Sequence, residues 1–176
     1  FEVNVVVDNS ETEGAPVVVE RNPTYSNLVG TIEKEMQMGA LTTDFTMVKA
    51  GSILRAHGGF LLLPLEDLLR NPYGWDALKR ALDSGELQIE ELQQQLGLMS
   101  VKSLKPQPVP LETKVVLVGD PTLFSLLRAY DKGFRELFKV RADLDTRMDD
   151  TGSNRAALAL ALRRFAEQEE LGEISA

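Results

Sequence analysis

Ser100 and Lys102 form a pair whose types and spacing could supply a nucleophile and its base. Residues two apart on a strand share a face, and a lysine held away from water can activate a serine. The segment GLMSVKS that carries the pair lies between glutamines and prolines, where nothing would exclude water. We therefore interpret the pair as part of a solvated hairpin rather than as a catalytic dyad.

His57 is the single histidine, so a Ser-His-Asp triad could only be built around it and a metal site with two histidines is excluded. It stands directly before Gly58-Gly59, a position that favours a capping or packing role over catalysis. Two groups of acidic side chains could attract a divalent cation, but unpatterned acids on an acidic chain usually form a solvated face. These groups are Asp143, Asp145, Asp149, Asp150 and Glu167, Glu169, Glu170.

No glycine-rich phosphate loop is present in the sequence. The patterns G-x-x-x-x-G-K-[ST] and G-x-G-x-x-G, whose backbone N–H groups cradle phosphates, are both absent. Gly58-Gly59 is better interpreted as a turn that leads into the apolar run at residues 60–63. The chain by itself therefore has no recognisable nucleotide-binding loop.

Composition excludes several classes of function. The 176 residues include 27 acids and 19 bases, for a net charge of -8, and no Lys/Arg-rich stripe, which disfavours nucleic-acid binding. Cysteine is absent, which excludes disulfides, thiolate zinc sites and a cysteine nucleophile and suits a reducing cytosol. The apolar runs at residues 60–63 and 115–118 are far too short to span a bilayer. We expect a cytoplasmic protein with no membrane partner.

Hydrophobic residues (43%) and charged residues (26%) are in the balance of a globular domain, and strand patterns alternate with helix patterns. Buried strands alternating with helices predict an α/β fold with a three-layer sheet. Strands are predicted at residues 1–8 and 15–20 (pairing as a hairpin), 42–49 (strand or hairpin tip), 60–63 and 114–118 (both buried and parallel) and 140–144. Helices are predicted at residues 27–38, 50–56, 65–69, 74–82, from 121 through 130, 134–138 and 154–171, with an inserted hairpin at 87–104.

Two further expectations concern the organisation of the chain. The first residues, FEVNVVVDN, already have a strand pattern, so we expect a piece of a longer protein. Gly152-Ser153 marks the predicted boundary between an α/β module at residues 1–150 and an amphipathic helix at 151–176 that begins a helical lid. The Pro-rich run at residues 105–110 predicts neither helix nor central strand.

Four stretches of sequence carry a family resemblance. They are GAPVVVERNPTYSNLVGTIEKEMQMGALTTDFTMVKAGSILRAHGGFLLL, WDALKRALDSGELQIEEL, SLKPQPVPLETKVVLVGD and FRELFKVRADLD. In order and spacing they resemble the AAA+ module of the Lon-like proteases, the Lon-B and Lon-C types in particular, over residues 1–150. The resemblance implies the second half of an AAA+-like P-loop NTPase core, with Walker A upstream and a Ser-Lys protease domain downstream.

The resemblance also implies positions for the nucleotide-binding residues. Walker B needs an aspartate for Mg²⁺ and a following acid that orients the attacking water. Alignment of GGFLLLPLED with that pattern places Pro64 and Leu65 at these positions, while Glu66 and Asp67 come two residues late and are expected to face elsewhere. The sensor-1 position falls at Asp120, where a carboxylate would repel a γ-phosphate.

The arginine-finger position of the family falls near Leu137, with Arg135 and Arg141 as displaced substitutes. Departures at Walker B, sensor 1 and the arginine finger point the same way, so the resemblance implies a degenerate ATPase that needs no cofactor, as in the ATP-independent Lon-C branch. Restoring Asp at position 64 and Glu at position 65 is expected not to harm folding, since the position ends a strand.

By resemblance, six copies form a ring that admits unfolded polypeptide to a protease chamber. Phe45 and Met47 lie where relatives carry a pore-facing loop, and an aromatic ring and a thioether there would grip an extended chain without selectivity. Leu98 and Met99 are the contacts expected of a second pore element. Both pairs have a purely structural alternative, as core filling or as a surface hairpin.

The sequence thus predicts a non-catalytic, degenerate AAA+-like module of a Lon-like serine protease. It would gate and position unfolded polypeptide and support hexamer assembly. Two alternatives stay open. One is an active ATPase half-module that binds ATP and Mg²⁺, with Glu66 or Asp67 as a shifted Walker B acid, and the other is a non-enzymatic scaffold or substrate-recognition domain.

Overall fold

A computed structural model describes residues 3–37, 40–92, 96, 104–145 and 147–169 of the chain. Contacts divide the chain into two compact units, Phe1–Lys139 and Val140–Ala176. In the first unit the strands are β1 (Val17–Val19), β2 (Gly30–Ile32), β3 (Glu35–Gln37), β4 (Ala40–Thr42), β5 (Val48–Ala50), β6 (Phe60–Pro64), β7 (Glu86–Leu87), β8 (Val109–Pro110) and β9 (Lys114–Val118). Its helices are α1 (Tyr25–Val29), α2 (Ser52–Arg55), α3 (Leu65–Leu69), α4 (Pro72–Ser84), α5 (Pro121–Tyr130) and α6 (Lys132–Leu137), with a 3₁₀ turn at Phe45–Met47.

A parallel three-stranded sheet in the order β1-β6-β9 forms the centre of the first unit. Both crossovers, through α1 and α2 and then through α3 and α4, step in the same direction across the sheet. Because parallel crossovers are right-handed, helices connected in one direction lie on one face. The α/β prediction is confirmed, and among the described residues the helices cover one face of the sheet.

The hydrophobic core lies between that covered face and the helices. Leu61 and Leu63 of β6 are fully buried there against a cluster that includes Leu28 of α1 and Leu78 of α4. The next residues in each strand point to the opposite face, where Val17, Val19, Val116 and Val118 are exposed. The prediction of a strand at residues 114–118 is therefore confirmed, but its burial is wrong, because β9 alternates between the two faces.

The predicted hairpin of residues 1–8 with 15–20 is wrong. β1 pairs in parallel with the buried strand β6, and residues 3–8 belong to no strand. Asn4 holds this segment to a different region, because its side-chain amide donates to the carbonyls of Phe45 (2.8 Å) and Val48 (3.2 Å). β1 thus pairs with β6, a distant apolar strand of the core, and not with residues 1–8, the local partner that the sequence pattern predicted.

The helix predicted at residues 27–38 ends at Val29. Gly30 adopts φ +110°, and a Cβ atom there would lie 2.3 Å from the Lys49 carbonyl oxygen. That close approach allows β2 to pair with β5, and the small hairpin of β3 and β4 follows. The strand predicted at residues 42–49 divides accordingly into the end of β4, the 3₁₀ turn and the start of β5.

The remaining helix predictions agree with the structure at the level of whole elements. Asn71-Pro72 separates α3 from α4, and Asp120 and Asp131 are the N-caps of α5 and α6. Of the inserted hairpin at residues 87–104, only its beginning is described, and β7 pairs there with β8.

The second unit, Val140–Ala176, contains one long helix, α7 (Gly152–Gln168). Thr151 is its N-cap and accepts a hydrogen bond from the Asn154 backbone N–H at 3.2 Å. Residues 140–144, predicted as a strand, have no regular structure, and Val140 is 90% exposed. A strand needs a neighbour for its backbone groups, and the described part of this unit offers none.

Candidate functional site

The carboxyl ends of β6 and β9 meet at one edge of the parallel sheet, the place where α/β sheets bind ligands. The two strands stay in register to their last residues, with Pro64 paired to Val118. The chain then enters α3 directly at Leu65 and reaches α5 through Gly119 and Asp120. Residues 64–66 and Asp120 are therefore brought together at this edge.

Leu65 fills the space beneath the turn that follows β9. Its side chain is only 3% exposed. A Cβ atom added at Gly119 would lie 2.7 Å from the Leu65 Cβ atom, so the turn passes directly over this side chain. The burial of Leu65 argues against the expectation that Glu at position 65 leaves folding intact, because the change would bury a carboxylate where an apolar side chain now packs.

Glu66 links the two strand ends. Its Oε1 atom accepts a hydrogen bond from the Asp120 backbone N–H at 2.9 Å. The expectation that Glu66 faces elsewhere is therefore wrong, since the helical turn that begins at Leu65 directs this side chain towards the end of β9. Asp67, one residue further along α3, instead pairs with Arg70 at 2.9 Å on the helix surface.

Asp120 acts as a helix cap. Its Oδ1 atom accepts a hydrogen bond from the Thr122 backbone N–H at 2.6 Å. Hydrogen bonds from the Thr122 hydroxyl and from that N–H lower the pKa of Asp120 below its ordinary value, so the side chain is a carboxylate at neutral pH. The sensor-1 position thus carries a negative charge committed to the first turn of α5.

The two positions that the resemblance assigns to Walker B carry no acidic side chain. Pro64 and Leu65 offer no side-chain oxygen, and the carboxylate of Glu66 accepts a backbone hydrogen bond. Within the described residues, no three His, Cys, Asp or Glu side chains are grouped so that they could hold a metal ion. This result includes those acidic residues of the two groups defined from the sequence that the structure describes.

The arginine candidates belong to α6 and to the second unit. Arg135 is exposed in the last turn of α6, and the described polar contacts of the strand ends do not include it. Leu137 ends the same helix and is half-buried. Arg141 belongs to the second unit, where its guanidinium pairs with Asp143.

Phe45 and Met47 lie on the 3₁₀ turn between β4 and β5. Asp44 caps this turn by accepting a hydrogen bond from the Thr46 backbone N–H at 2.7 Å. Phe45 is 45% exposed and Met47 is half-buried, and neither is part of the core cluster. The turn therefore presents an aromatic ring to solvent on a backbone held by its own cap.

Met36 is an exposed apolar residue that the sequence reasoning missed. It lies on β3, paired with Leu41 of β4, and is 74% exposed. The helix predicted at residues 27–38 included it. The available signal was Gly39 two residues after Gln37, a turn residue between two short runs, as in a two-residue hairpin loop.

Leu98 and Met99, together with Ser100 and Lys102, lie outside the described residues. His57 lies within them and has a structural contact. Its Nδ1 atom accepts a hydrogen bond from the Glu112 backbone N–H at 3.4 Å, beside the turn that leads into β6.

Comparison with protein families matches the model described as "LonB-like, AAA domain" to residues 13–145, well over half of the chain. The chain belongs to the LonB-like AAA domain family. No curated protein sequence matches it. The match contains all of the parallel sheet, the 3₁₀ turn and the strand ends, so the LonB-like assignment applies to the regions described above.

Within this LonB-like domain, the order β1-β6-β9 with helices fits part of an AAA+-like P-loop fold. The resemblance inferred from the sequence is therefore confirmed at the level of family and fold. None of the described helices is both long enough and apolar enough to cross a membrane.

Proposed function

We propose that this LonB-like domain is a degenerate AAA+ module of a cytoplasmic Lon-like serine protease. In this proposal it acts without ATP, supports a hexameric ring, and gates and positions unfolded polypeptide for a protease domain elsewhere in the parent protein. No residue of the chain takes part in the covalent step.

The observation that carries the proposal is the chemistry at the end of β6. A working Walker B strand ends in a metal-binding acid followed by an acid that orients water. Here a proline and a leucine that is 3% exposed occupy those positions. A small side-chain rotation cannot restore metal binding or water orientation at these positions, because neither residue carries an ionisable group.

The contact of Glu66 with the Asp120 backbone N–H argues against the shifted-acid alternative. An acid that activates water must be able to accept a proton from it. The Glu66 Oε1 atom accepts a hydrogen bond from a backbone donor at 2.9 Å, and this contact, which joins α3 to the turn after β9, gives the side chain a structural role. We infer that Glu66 maintains the geometry of the strand ends.

Unfolded polypeptide would contact the exposed apolar side chains on the small sheets. Phe45 supplies a ring and Met36 a flexible thioether, both of which accommodate varied side chains. Asp44 caps the turn and so holds its backbone, while the Phe45 ring stays exposed. We expect such a surface to hold extended chains weakly and with little sequence preference.

The decisive experiment measures phosphate release and cleavage of casein by the full-length parent, with and without ATP. Equal cleavage in both conditions, without phosphate release, supports a passive gate. ATP-stimulated cleavage overturns the ATP-independent assignment.

A pair of variants of the parent separates the passive gate from the shifted-acid alternative. Glu66→Gln keeps an oxygen that can accept from Asp120 N–H but removes the base, so cleavage should be unchanged. Asp67→Asn, whose parent side chain is on the helix surface with Arg70, is the matched control. Loss of ATP-stimulated cleavage in Glu66→Gln alone would establish Glu66 as the base that activates water.

A further inference from the structure

Within the part of the chain that the structure describes, backbone groups on the outer edge of β1 have no hydrogen-bond partner. The Phe60 N–H donates to the Pro16 carbonyl (2.8 Å) and the Glu20 N–H donates to the Leu62 carbonyl (3.1 Å). Successive residues of a parallel strand point their backbone groups to opposite sides, so those of Val17 and Val19 point away from β6. Among the described residues, no backbone hydrogen bond reaches these groups from outside.

A groove of about 340 Å³ lies beside this edge. Its walls combine strand residues with the extended segment that precedes β1. That segment lies beside β1 without pairing with it. The lining residues are Val6, Val7, Asp8, Asn9, Thr12, Pro16, Val17, Val18 and Arg55.

The chemistry of the edge selects an extended polypeptide as its occupant. Two outward N–H groups and two outward carbonyls at strand spacing are satisfied together by another strand, as in β-strand addition. Val17 and Val19 are 62% and 58% exposed, so they offer apolar contacts to alternate side chains of an added strand. A helix would leave the backbone groups of the edge unpaired.

We propose that the outer edge of β1 binds an extended segment of unfolded polypeptide, which adds to the sheet as a fourth strand beside Val17–Val19. This inference rests on the proposed function, because it assigns a second binding site to the same class of substrate. β1 spans only three residues, or about 10 Å, so the added ladder is short. So few backbone hydrogen bonds give a weak affinity that depends little on the sequence of the bound peptide. A gate that passes many polypeptides requires both properties.

The test uses a fluorescein-labelled ten-residue peptide of alternating Val and Thr, titrated with the 176-residue chain and followed by anisotropy. A second peptide has the same side chains but is N-methylated at alternate amides on the pairing side. The proposal predicts at least tenfold weaker binding of the methylated peptide. Equal binding of the two peptides overturns it, and this comparison needs no variant protein.

Two variants locate the site. Val19→Pro removes an N–H that points away from β6 and leaves the β6 ladder intact, an arrangement that edge strands tolerate. Val19→Ala keeps the N–H and shortens the side chain. We expect Val19→Pro to weaken peptide binding at least tenfold and Val19→Ala to weaken it less than threefold, with unchanged circular dichroism in both.

Other occupants of the edge give different results. If a second copy of the chain pairs with β1, the peptide does not bind and Val19→Pro changes the sedimentation coefficient. If residues 3–8 of the same chain pair with β1, the peptide does not bind and Val19→Pro changes the amide exchange of residues 3–8. Either result overturns the proposal. Failure of the proposed function is detected separately, as ATP-stimulated casein cleavage by the parent. Cleavage that depends on Phe45 but not on the Val19 N–H would reject the β1 site alone.

Discussion

The two faces of the central sheet are built from the same kinds of residue and have opposite environments. On β6, Leu61 and Leu63 are buried against helices, whereas on β1 and β9 Val19 and Val118 are exposed on the other face. The difference comes from the direction of the two crossovers, which places both sets of helices on one side. Apolar side chains in a strand therefore indicate that a face can be covered, while the topology decides which face is covered.

The comparison is tested most strongly by a matched pair on one strand. Leu63→Ala should lower the free energy of unfolding by about 2–5 kcal/mol, because it leaves a cavity in the core. Leu62→Ala, one residue earlier and half-buried on the other face, should cost less than about half as much. Urea unfolding of both variants measures the difference. Equal losses would mean that both faces are covered in solution.

Replacing Asp131, which joins two helices on the covered face of the sheet, should have the next largest effect on the free energy of unfolding. Asp131 accepts hydrogen bonds from Trp75 Nε1 (3.0 Å), Lys79 Nζ (2.9 Å) and the Phe134 backbone N–H (2.9 Å), and so joins α4 to α6. Asp131→Ala should lower the unfolding free energy by about 1–3 kcal/mol, since a partly buried indole N–H loses its acceptor.

Asp120→Ala is the matched control for that variant, because Asp120 also caps a helix but lies exposed at the strand ends. Its loss of stability in the same urea titration should be the smaller of the two. A larger loss for Asp120→Ala would contradict the view that α4 and α6 are held together by the buried cap.

A pH titration should sharpen the same contrast. Burial alone would raise the pKa of Asp131, but hydrogen bonds from the Phe134 N–H, Lys79 and Trp75 outweigh burial and lower it. A lowered folded-state pKa stabilises the protein above the unfolded value, about 3.9, and this contribution disappears as pH falls through the folded value. Asp131→Asn should therefore lose less stability than the parent chain between pH 6 and pH 3. Parallel pH profiles would reject this role.

The smallest effect on stability is expected on the exposed face. Val118→Ser should change the free energy of unfolding by no more than about 0.5 kcal/mol, because Val118 is already 57% exposed. The same change should reduce fluorescence of the apolar dye ANS, which reports exposed apolar surface. Unchanged dye binding together with a large loss of stability would show that this face is packed.

Several elements could be predicted because their signals are local. The continuous apolar run at residues 60–63 and the break at Asn71-Pro72 define β6, α3 and α4 without reference to distant residues. The family resemblance assigned Pro64, Leu65 and Asp120 to positions at the ends of the two strands, which the structure pairs as β6 and β9. What failed depended on contacts far apart in sequence, such as Gly30 against Lys49 and Asn4 against Phe45.

The sequence by itself determined the α/β class, the main strands and helices of the sheet, and the wording that places the chain in the LonB-like AAA domain family. It also determined that no acid follows β6 directly. Only the tertiary structure decided that Leu65 is buried, that Glu66 accepts a hydrogen bond from the Asp120 N–H, and that β6 is the one described strand with which β1 pairs. Periodicity is a property of neighbours along the chain, whereas burial and pairing depend on which distant segments compete for the same partner.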